Sequence, residues 1–98
     1  MKIGILGSGA VGKALAIGFT AEGHETMLGT RDPKAAKITE WLSGNGKGVK
    51  AGTFEQTAAY GEMIILCPLY RAIDDVIELA GKKNFEGKIV IDTTNPIA

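Results

Sequence analysis

Three glycines near the start of the chain have the spacing of a phosphate-binding loop. Residues 7–12 read Gly7-Ser8-Gly9-Ala10-Val11-Gly12, after an apolar stretch at 2–6 and before a helical stretch at 13–22. Between a first strand and a first helix, this spacing predicts dinucleotide binding. The first glycine permits a tight turn, the second lets a pyrophosphate approach the backbone, and the third lets the helix pack on the strand. The helix N-terminus adds unpaired N–H groups and the positive end of its dipole. The alternative is a purely structural glycine-rich turn.

The residues after the predicted second strand, 25–28, indicate which dinucleotide is bound. An NAD site usually carries Asp or Glu at this point, about 20 residues beyond the loop, to hold the ribose hydroxyl. Here Gly29 takes that place, and Thr30 and Arg31 follow it. Thr30 can donate a hydrogen bond to a phosphate oxygen, and the guanidinium of Arg31 offers a planar fork of donors that suits phosphate. The pair predicts NADP(H), although an arginine here could also be an ordinary exposed side chain.

Asp32 is the competing acid, because it lies within the loose spacing at which a ribose ligand occurs. Pro33 follows it, and proline is favoured at the first position of a helix. Asp32 would then be the N-cap of that helix, with its carboxylate occupied by backbone N–H groups. We expect a cap rather than a ribose ligand.

Composition narrows the class of protein. A chain of 98 residues forms one domain at most. The formal net charge of zero favours neither nucleic acid nor an anionic membrane surface as a partner. No apolar run reaches the about 20 residues of a membrane span, and the N-terminus lacks the pattern of a signal peptide. A single cysteine excludes an internal disulfide, which suits the cytosol, so we expect a cytoplasmic protein.

Strands and helices alternate along the rest of the chain. We predict five strands, at 2–6, 25–28, 49–51, 63–67 and 88–92. We predict four helices, at 13–22, from Asp32 to about Ser43, from a Thr53–Gln56 capping box to Gly61, and at 71–82. Ile38, Trp41 and Leu42 should face the core from the second helix. This alternation predicts an α/β fold of the Rossmann type, a doubly wound parallel sheet of about five strands in the order 3-2-1-4-5.

The carboxyl ends of such strands form the binding edge of the sheet. The fourth strand leads into Cys67, Pro68, Leu69, Tyr70 and Arg71, and the fifth leads into Asp92, Thr93, Thr94 and Asn95. Both segments should border the nicotinamide. Alternatives stay open, since Cys67 could be a small buried filler rather than a reactive thiol. Asp92 and Thr93 could cap backbone groups, and Tyr70 could stack on the cofactor or lie on the surface. His24 precedes the second strand, at the opposite edge, and is a poor catalytic candidate.

A set of motifs spread over almost the whole chain resembles one family of reductases. The motifs are residues 1–12, Gly23-His24-Glu25, Gly29-Thr30-Arg31-Asp32, Cys67-Pro68-Leu69 and Ile91-Asp92-Thr93-Thr94-Asn95-Pro96. Together they resemble the N-terminal half of the NADPH-dependent reductases of the deazaflavin coenzyme F-420. The pyrroline-5-carboxylate reductases and transmembrane ferric reductases share much of the same pattern.

The resemblance implies a cofactor site, an activity and a domain arrangement. Gly7 to Gly12 would hold the pyrophosphate of NADP(H), Thr30 and Arg31 the 2′-phosphate, and the segments around Pro68 and Asn95-Pro96 would border the nicotinamide. The activity would be hydride transfer between NADPH and the deazaflavin, for which the cofactors carry the chemistry. Residues 1–98 would be the NADP-binding domain, without the C-terminal part that helps to form the second-substrate pocket and the dimer. We expect a small-molecule second substrate and a homo-oligomer. The alternatives are a non-catalytic NADP(H)-binding module and a reductase of a small imine or carbonyl compound or of ferric iron.

Overall fold

A five-stranded parallel sheet forms the centre of the computed structural model, which describes residues 1–67 and 73–93. Its strands are β1 (Lys2–Leu6), β2 (Glu25–Gly29), β3 (Lys50–Gly52), β4 (Met63–Leu66) and β5 (Ile89–Asp92). They are ordered β3-β2-β1-β4-β5, and every neighbouring pair is parallel. The predicted Rossmann-type order is therefore confirmed. Chain order reverses between β1 and β4, so the glycine loop after β1 lies at the crevice where such sheets bind ligands.

Helices cover both faces of this sheet. They are α1 (Ala10–Ala21), α2 (Ala36–Ser43), α3 (Phe54–Tyr60) and α4 (Ile73–Ala80), and a 3₁₀ helix at Lys82–Phe85 follows α4. Side chains of α1 and α2 pack with Ile3, Ile5 and Leu28 in one core cluster. Side chains of α3 and α4 pack with Leu6, Ile64 and Leu66 in the other. Successive residues of a strand point to opposite faces, so the apolar runs of β1 and β4 supply both clusters.

The helix boundaries differ from the predictions at two places that border the glycine loop and β2. Helix α1 begins at Ala10 rather than Lys13, so the second half of the loop motif forms its first turn. Helix α2 begins only at Ala36, and Ala35 is its N-cap, so the prediction that Asp32 is the N-cap is wrong. The Asp32 carboxylate instead accepts a hydrogen bond from the Lys34 N–H at 3.1 Å. This local turn competes with the helix for the same backbone groups.

Other expectations hold with small shifts. Strand β3 lies one residue later than predicted, and the predicted capping box at Thr53 and Gln56 is present at the start of α3. Ile38 is buried and Trp41 is packed against the core, as expected for the inner face of α2. No helix in residues 1–67 or 73–93 is long and apolar enough to cross a membrane.

Strand β5 is the edge strand beside β4, and its side chains are open to solvent on both faces. Ile89, Val90 and Ile91 are 59%, 41% and 43% exposed. By contrast, Ile64 and Ile65 on the neighbouring β4 are 0% and 2% exposed. Three successive exposed aliphatic residues on an edge strand form an apolar surface of the kind that mediates association.

Candidate functional site

The glycine loop turns sharply between β1 and α1. Gly7 has a φ of 133°, a conformation that residues with a side chain rarely adopt. Its N–H donates to the carbonyl of Gly29 at the end of β2, at 3.0 Å. This bond joins the loop to the segment that carries Thr30 and Arg31, so the two predicted phosphate-binding elements lie side by side.

Gly9 and Gly12 have opposite steric surroundings. A Cβ on Gly9 would meet nothing within 4 Å, so this glycine leaves open space above the loop. A Cβ on Gly12 would lie 2.2 Å from the Gly7 carbonyl oxygen, closer than any carbon atom can approach. The spacing of the motif thus has two physical bases, an open approach at Gly9 and tight packing between loop and helix at Gly12.

The first turn of α1 presents its N–H groups to this open space. Gly9 is the N-cap and no side chain caps the helix, so the first-turn N–H groups keep their hydrogen-bonding capacity. The first turn also contains no acidic residue. Uncapped N–H groups and the positive end of the helix dipole suit an anion such as a pyrophosphate.

Ser8 and Thr30 meet across the loop although 22 residues separate them in sequence. The Ser8 hydroxyl donates to the Thr30 hydroxyl oxygen at 3.3 Å, and the Thr30 N–H donates to the Gly52 carbonyl at 3.0 Å. Because β1 and β2 are paired in register, with Leu6 opposite Gly29, the residues that follow them emerge together. Thr30 is buried, so its contacts with the protein determine where its side chain lies.

Arg31 follows Thr30 and is exposed. Within residues 1–67 and 73–93, its guanidinium has no hydrogen bond or ion pair, and its one recorded contact is with the ring of Phe54. The central guanidinium carbon lies 5.9 Å from the centre of that ring. With respect to the described residues, all of its N–H donors are consequently free, as a residue that binds a phosphate group requires.

A cavity of about 600 Å³ joins these elements. Its lining consists of the loop and first turn of α1, the end of β2, the end of β4 and two apolar side chains, namely Gly7, Ser8, Gly9, Ala10, Val11, Thr30, Arg31, Cys67, Phe54 and Val76. Eight of the predicted site residues therefore meet at one cavity, whereas Gly12 lies beneath the loop. Phe54 and Val76 were not predicted. Position 54 directly follows the N-cap that begins α3 at the binding edge, and that placement is the signal that could have identified it.

Cys67 lies at the end of β4 and is half-buried at this cavity. Its N–H donates to the Leu6 carbonyl at 2.8 Å, which holds it beside the glycine loop. Burial raises the pKa of the Cys67 thiol, the contact with the Thr93 hydroxyl lowers it, and the charge of Asp92 raises it. The thiol is therefore protonated at neutral pH and a weak nucleophile, which favours the filler interpretation over a reactive cysteine.

Thr93 links the ends of β4 and β5. Its hydroxyl donates to the Leu66 carbonyl at 2.7 Å and lies 3.2 Å from the Cys67 sulfur. The Thr93 hydroxyl thus bonds to a backbone carbonyl, as the capping alternative predicted. The predicted site residues Pro68, Leu69, Thr94, Asn95 and Pro96 lie outside the described residues.

His24 lies away from the cavity, as expected. Its Nδ1 atom is 3.4 Å from the N-terminal amine, and its ring meets the edge of Phe19. Both contacts are at the amino edge of the sheet. In residues 1–67 and 73–93, no three His, Cys, Asp or Glu side chains are grouped so that they could hold a metal ion.

Comparisons with known proteins agree with this geometry. The family model described as NADP oxidoreductase coenzyme F420-dependent matches residues 2–96. The F420-dependent NADP reductase of Methanothermobacter thermautotrophicus is 30% identical to this chain, over 99% of this chain and 44% of that protein. The metalloreductase STEAP3 of Rattus norvegicus is 29% identical over 96 residues, which cover 97% of this chain and 18% of that protein.

A solved structure shows the same fold over the same region. It is a crystal structure from Arthrobacter sp. FB24 of a protein assigned as an F420-dependent NADP reductase. The TM-score is 0.89 and the identity 34%, over 98% of this chain and 46% of that one. The chain therefore spans less than half the length of these relatives.

Proposed function

The chain belongs to the F420-dependent NADP oxidoreductase family, and from that membership we propose that it binds NADP(H) and takes part in hydride transfer to a deazaflavin coenzyme. The observation that carries the proposal is the single cavity in which the open glycine loop meets Thr30 and the unpaired guanidinium of Arg31. Residues 1–98 would act as the NADP-binding domain of a protein with a further substrate-binding part.

The described residues fit the cofactor in their chemistry. Gly7 to Val11, with the uncapped start of α1, would hold the pyrophosphate. Thr30 and Arg31 would hold the 2′-phosphate, and Cys67 would border the nicotinamide. Gly12 would support the loop from below. Pro68, Leu69, Thr94, Asn95 and Pro96 remain proposed neighbours of the nicotinamide, on the resemblance alone.

The protein's share of the reaction is to bind and orient. When bound, NADPH would supply a hydride, and a deazaflavin would accept it with a proton from solvent. The cavity is lined by apolar groups at Phe54 and Val76 and by a protonated thiol at Cys67. None of these three is a good proton donor or acceptor at neutral pH, which suits a reaction whose chemistry belongs to its cofactors.

The proposed activity is tested by mixing the chain with NADPH and oxidised coenzyme F420. We expect the absorbance of NADPH and the absorbance of the oxidised deazaflavin to fall together, with heat-inactivated chain as the control. Because the chain spans less than half of its relatives' length, the same assay should include the chain joined to the C-terminal part of a family member. If NADPH binds and neither sample reduces the deazaflavin, the proposed activity is wrong.

A second candidate function is reduction of ferric iron. It is favoured by the metalloreductase STEAP3, whose identity to this chain is 29%, nearly that of the deazaflavin reductase at 30%. The discriminating measurement replaces the deazaflavin with ferric citrate and follows ferrous iron with a chelating dye. Reduction of iron but not of the deazaflavin would favour this second function.

The cofactor preference follows from Arg31. A charge-assisted contact to the extra phosphate is worth about 1.5–3 kcal/mol. Arg31→Ala should therefore weaken NADPH binding by about 10- to 100-fold and leave NADH binding almost unchanged. Titration calorimetry measures both affinities. Lys34→Ala, which removes a nearby exposed cation outside the cavity lining, is the matched control and should leave both unchanged. Equal affinities for NADPH and NADH in the parent chain would overturn the assignment to NADP(H).

Self-association is expected through β5. The exposed side chains of Ile89, Val90 and Ile91 lie together on an edge strand, and such strands pair with a second copy when nothing covers them. Sedimentation velocity should show dimers or larger species that grow with concentration. Val90→Lys should shift the distribution towards the monomer, whereas Lys83→Glu, an exposed change outside the strand, should not. A chain that stays monomeric at high concentration would contradict this expectation.

A further inference from the structure

Phe54 holds the guanidinium of Arg31 without using any of its hydrogen-bond donors. A positive charge is attracted to the face of an aromatic ring by the ring quadrupole, and this attraction occupies no N–H group. A carboxylate partner would do the opposite, because it would take up the donors and neutralise the charge. Since Arg31 has its contact with Phe54 and no hydrogen bond or ion pair in the described part of the chain, it is oriented while its charge stays available.

Packing in the core fixes the position of the Phe54 ring. Phe54 is 7% exposed and packs in the core cluster with Leu6, Ile64 and Val76. It is the first residue of α3, whose start is held by the capping box, in which the Thr53 N–H donates to the Gln56 side chain at 2.9 Å and the Gln56 N–H donates to the Thr53 hydroxyl at 3.1 Å. A rigid ring is a good platform for a long side chain that would otherwise sample many rotamers.

The backbone brings the two residues to the same place. Thr30 donates its N–H to the Gly52 carbonyl at 3.0 Å, which ties the end of β2 to the end of β3. Arg31 directly follows Thr30, the donor of this bond, and Phe54 lies two residues after Gly52, the acceptor. Sheet pairing thus brings the backbones of Arg31 and Phe54 close enough for the guanidinium to reach the ring.

The pair also has a defined position relative to the candidate site. A second cavity of about 280 Å³ lies next to the main one, lined by Thr30, Arg31, Thr53, Phe54, Glu55 and Leu79. Thr30, Arg31 and Phe54 line both cavities, so they form the wall that the two share. Among the described residues, neither Asp32 nor Glu55 is ion-paired with Arg31: Asp32 accepts from the Lys34 N–H, and Glu55 lines only the smaller of the two cavities.

We propose that Phe54 is a positioning residue for dinucleotide specificity, in that its ring holds the Arg31 guanidinium where it selects a 2′-phosphorylated ligand over one without that phosphate. The proposal rests on the assignment of Arg31 to the 2′-phosphate. An exposed contact of this kind is worth a factor of about two to five in a binding constant. Phe54 should therefore change the preference for NADPH over NADH, beyond any effect that its place in the cavity wall has on both dinucleotides.

The test compares the ratio of NADPH to NADH affinity among variants. Phe54→Leu should lower this ratio by about two- to five-fold, because it weakens NADPH binding by that factor beyond any effect on NADH binding. Phe54→Tyr, which keeps the ring, should retain the parent ratio. Phe85→Leu is the matched control, because Phe85 packs against the same core cluster without contacting Arg31. In an Arg31→Ala background, Phe54→Leu should have no further effect on the ratio.

The outcomes separate this inference from the proposed function. If the parent prefers NADPH and Phe54→Leu keeps the full preference, or loses NADH affinity equally, the positioning role is wrong and the NADP(H) assignment stands. If the parent shows no preference, both are wrong. Should Phe54→Leu not fold, the NMR spectrum of the parent decides. Arg31 side-chain protons above the ring are expected upfield of their random-coil positions, and unshifted resonances would overturn the proposal.

Discussion

Gly9→Val should abolish the binding of both NADPH and NADH while leaving the fold intact. A Cβ at Gly9 would meet no atom within 4 Å, so the fold has room for the added side chain and should lose little stability. The backbone at Gly9, with φ −77° and ψ −171°, is extended and open to any residue. The branched side chain would nevertheless stand where a pyrophosphate must approach the N–H groups of α1. Losing these charge-assisted contacts is worth about 100-fold or more in affinity.

Calorimetry with both dinucleotides measures this loss, and thermal unfolding by circular dichroism shows whether the fold is kept. Gly18→Val is the matched control. Gly18 is also exposed, a Cβ there would also meet nothing within 4 Å, and it lies further along α1 outside the cavity lining. Normal NADPH binding by Gly9→Val would show that the glycine loop does not hold the pyrophosphate.

Gly12→Val should damage the fold itself. Its Cβ would lie 2.2 Å from the carbonyl oxygen of Gly7, and a backbone oxygen cannot rotate away as a side chain can. The start of α1 would have to separate from the loop. Overpacking usually costs about 1–3 kcal/mol, and this contact with fixed backbone belongs at the upper end. Since 1 kcal/mol shifts Tm by about 4–8 °C in a domain of this size, Tm should fall by about 12 °C or more.

Comparing Gly9→Val with Gly12→Val separates an effect on cofactor binding from an effect on the fold. At Gly9 binding is lost and Tm is kept, whereas at Gly12 Tm falls and binding weakens as a consequence. Saturating NADPH should partly restore the Tm of Gly12→Val, because a ligand that binds the folded state stabilises it. If Gly12→Val unfolds at the same temperature as the parent, the close packing of loop and helix is not a requirement of the fold.

The order of the strands could be predicted because it depends on patterns within short segments. Strands β1 and β4 are almost wholly apolar, the signature of strands buried on both faces of a parallel sheet. The intervening stretches have helical spacing, and crossover connections in parallel sheets have one hand. The glycine spacing could be interpreted for the same reason, since a turn at Gly7 and close packing at Gly12 are requirements of the local backbone.

The boundary at Asp32 shows where local patterns stop being sufficient. An Asp followed by a proline is a good helix start, but the same carboxylate can also accept from the N–H two residues later. The structure takes this second arrangement, and α2 begins at Ala36. Both alternatives use the Asp32 carboxylate, so the local sequence does not distinguish them, and the helix that forms carries the buried Ile38 and the core-packed Trp41.

Taken alone, the sequence determined the fold, the glycine loop and the Thr30-Arg31 pair, because each is encoded by residue types at fixed spacing. Only the tertiary structure decided that Arg31 lies over Phe54, that Phe54 and Val76 line the same cavity, and that β5 exposes three aliphatic side chains. These are contacts, or missing contacts, between residues far apart in sequence. They depend on how strands pair and which element lies at the sheet's edge, and no spacing along the chain specifies that.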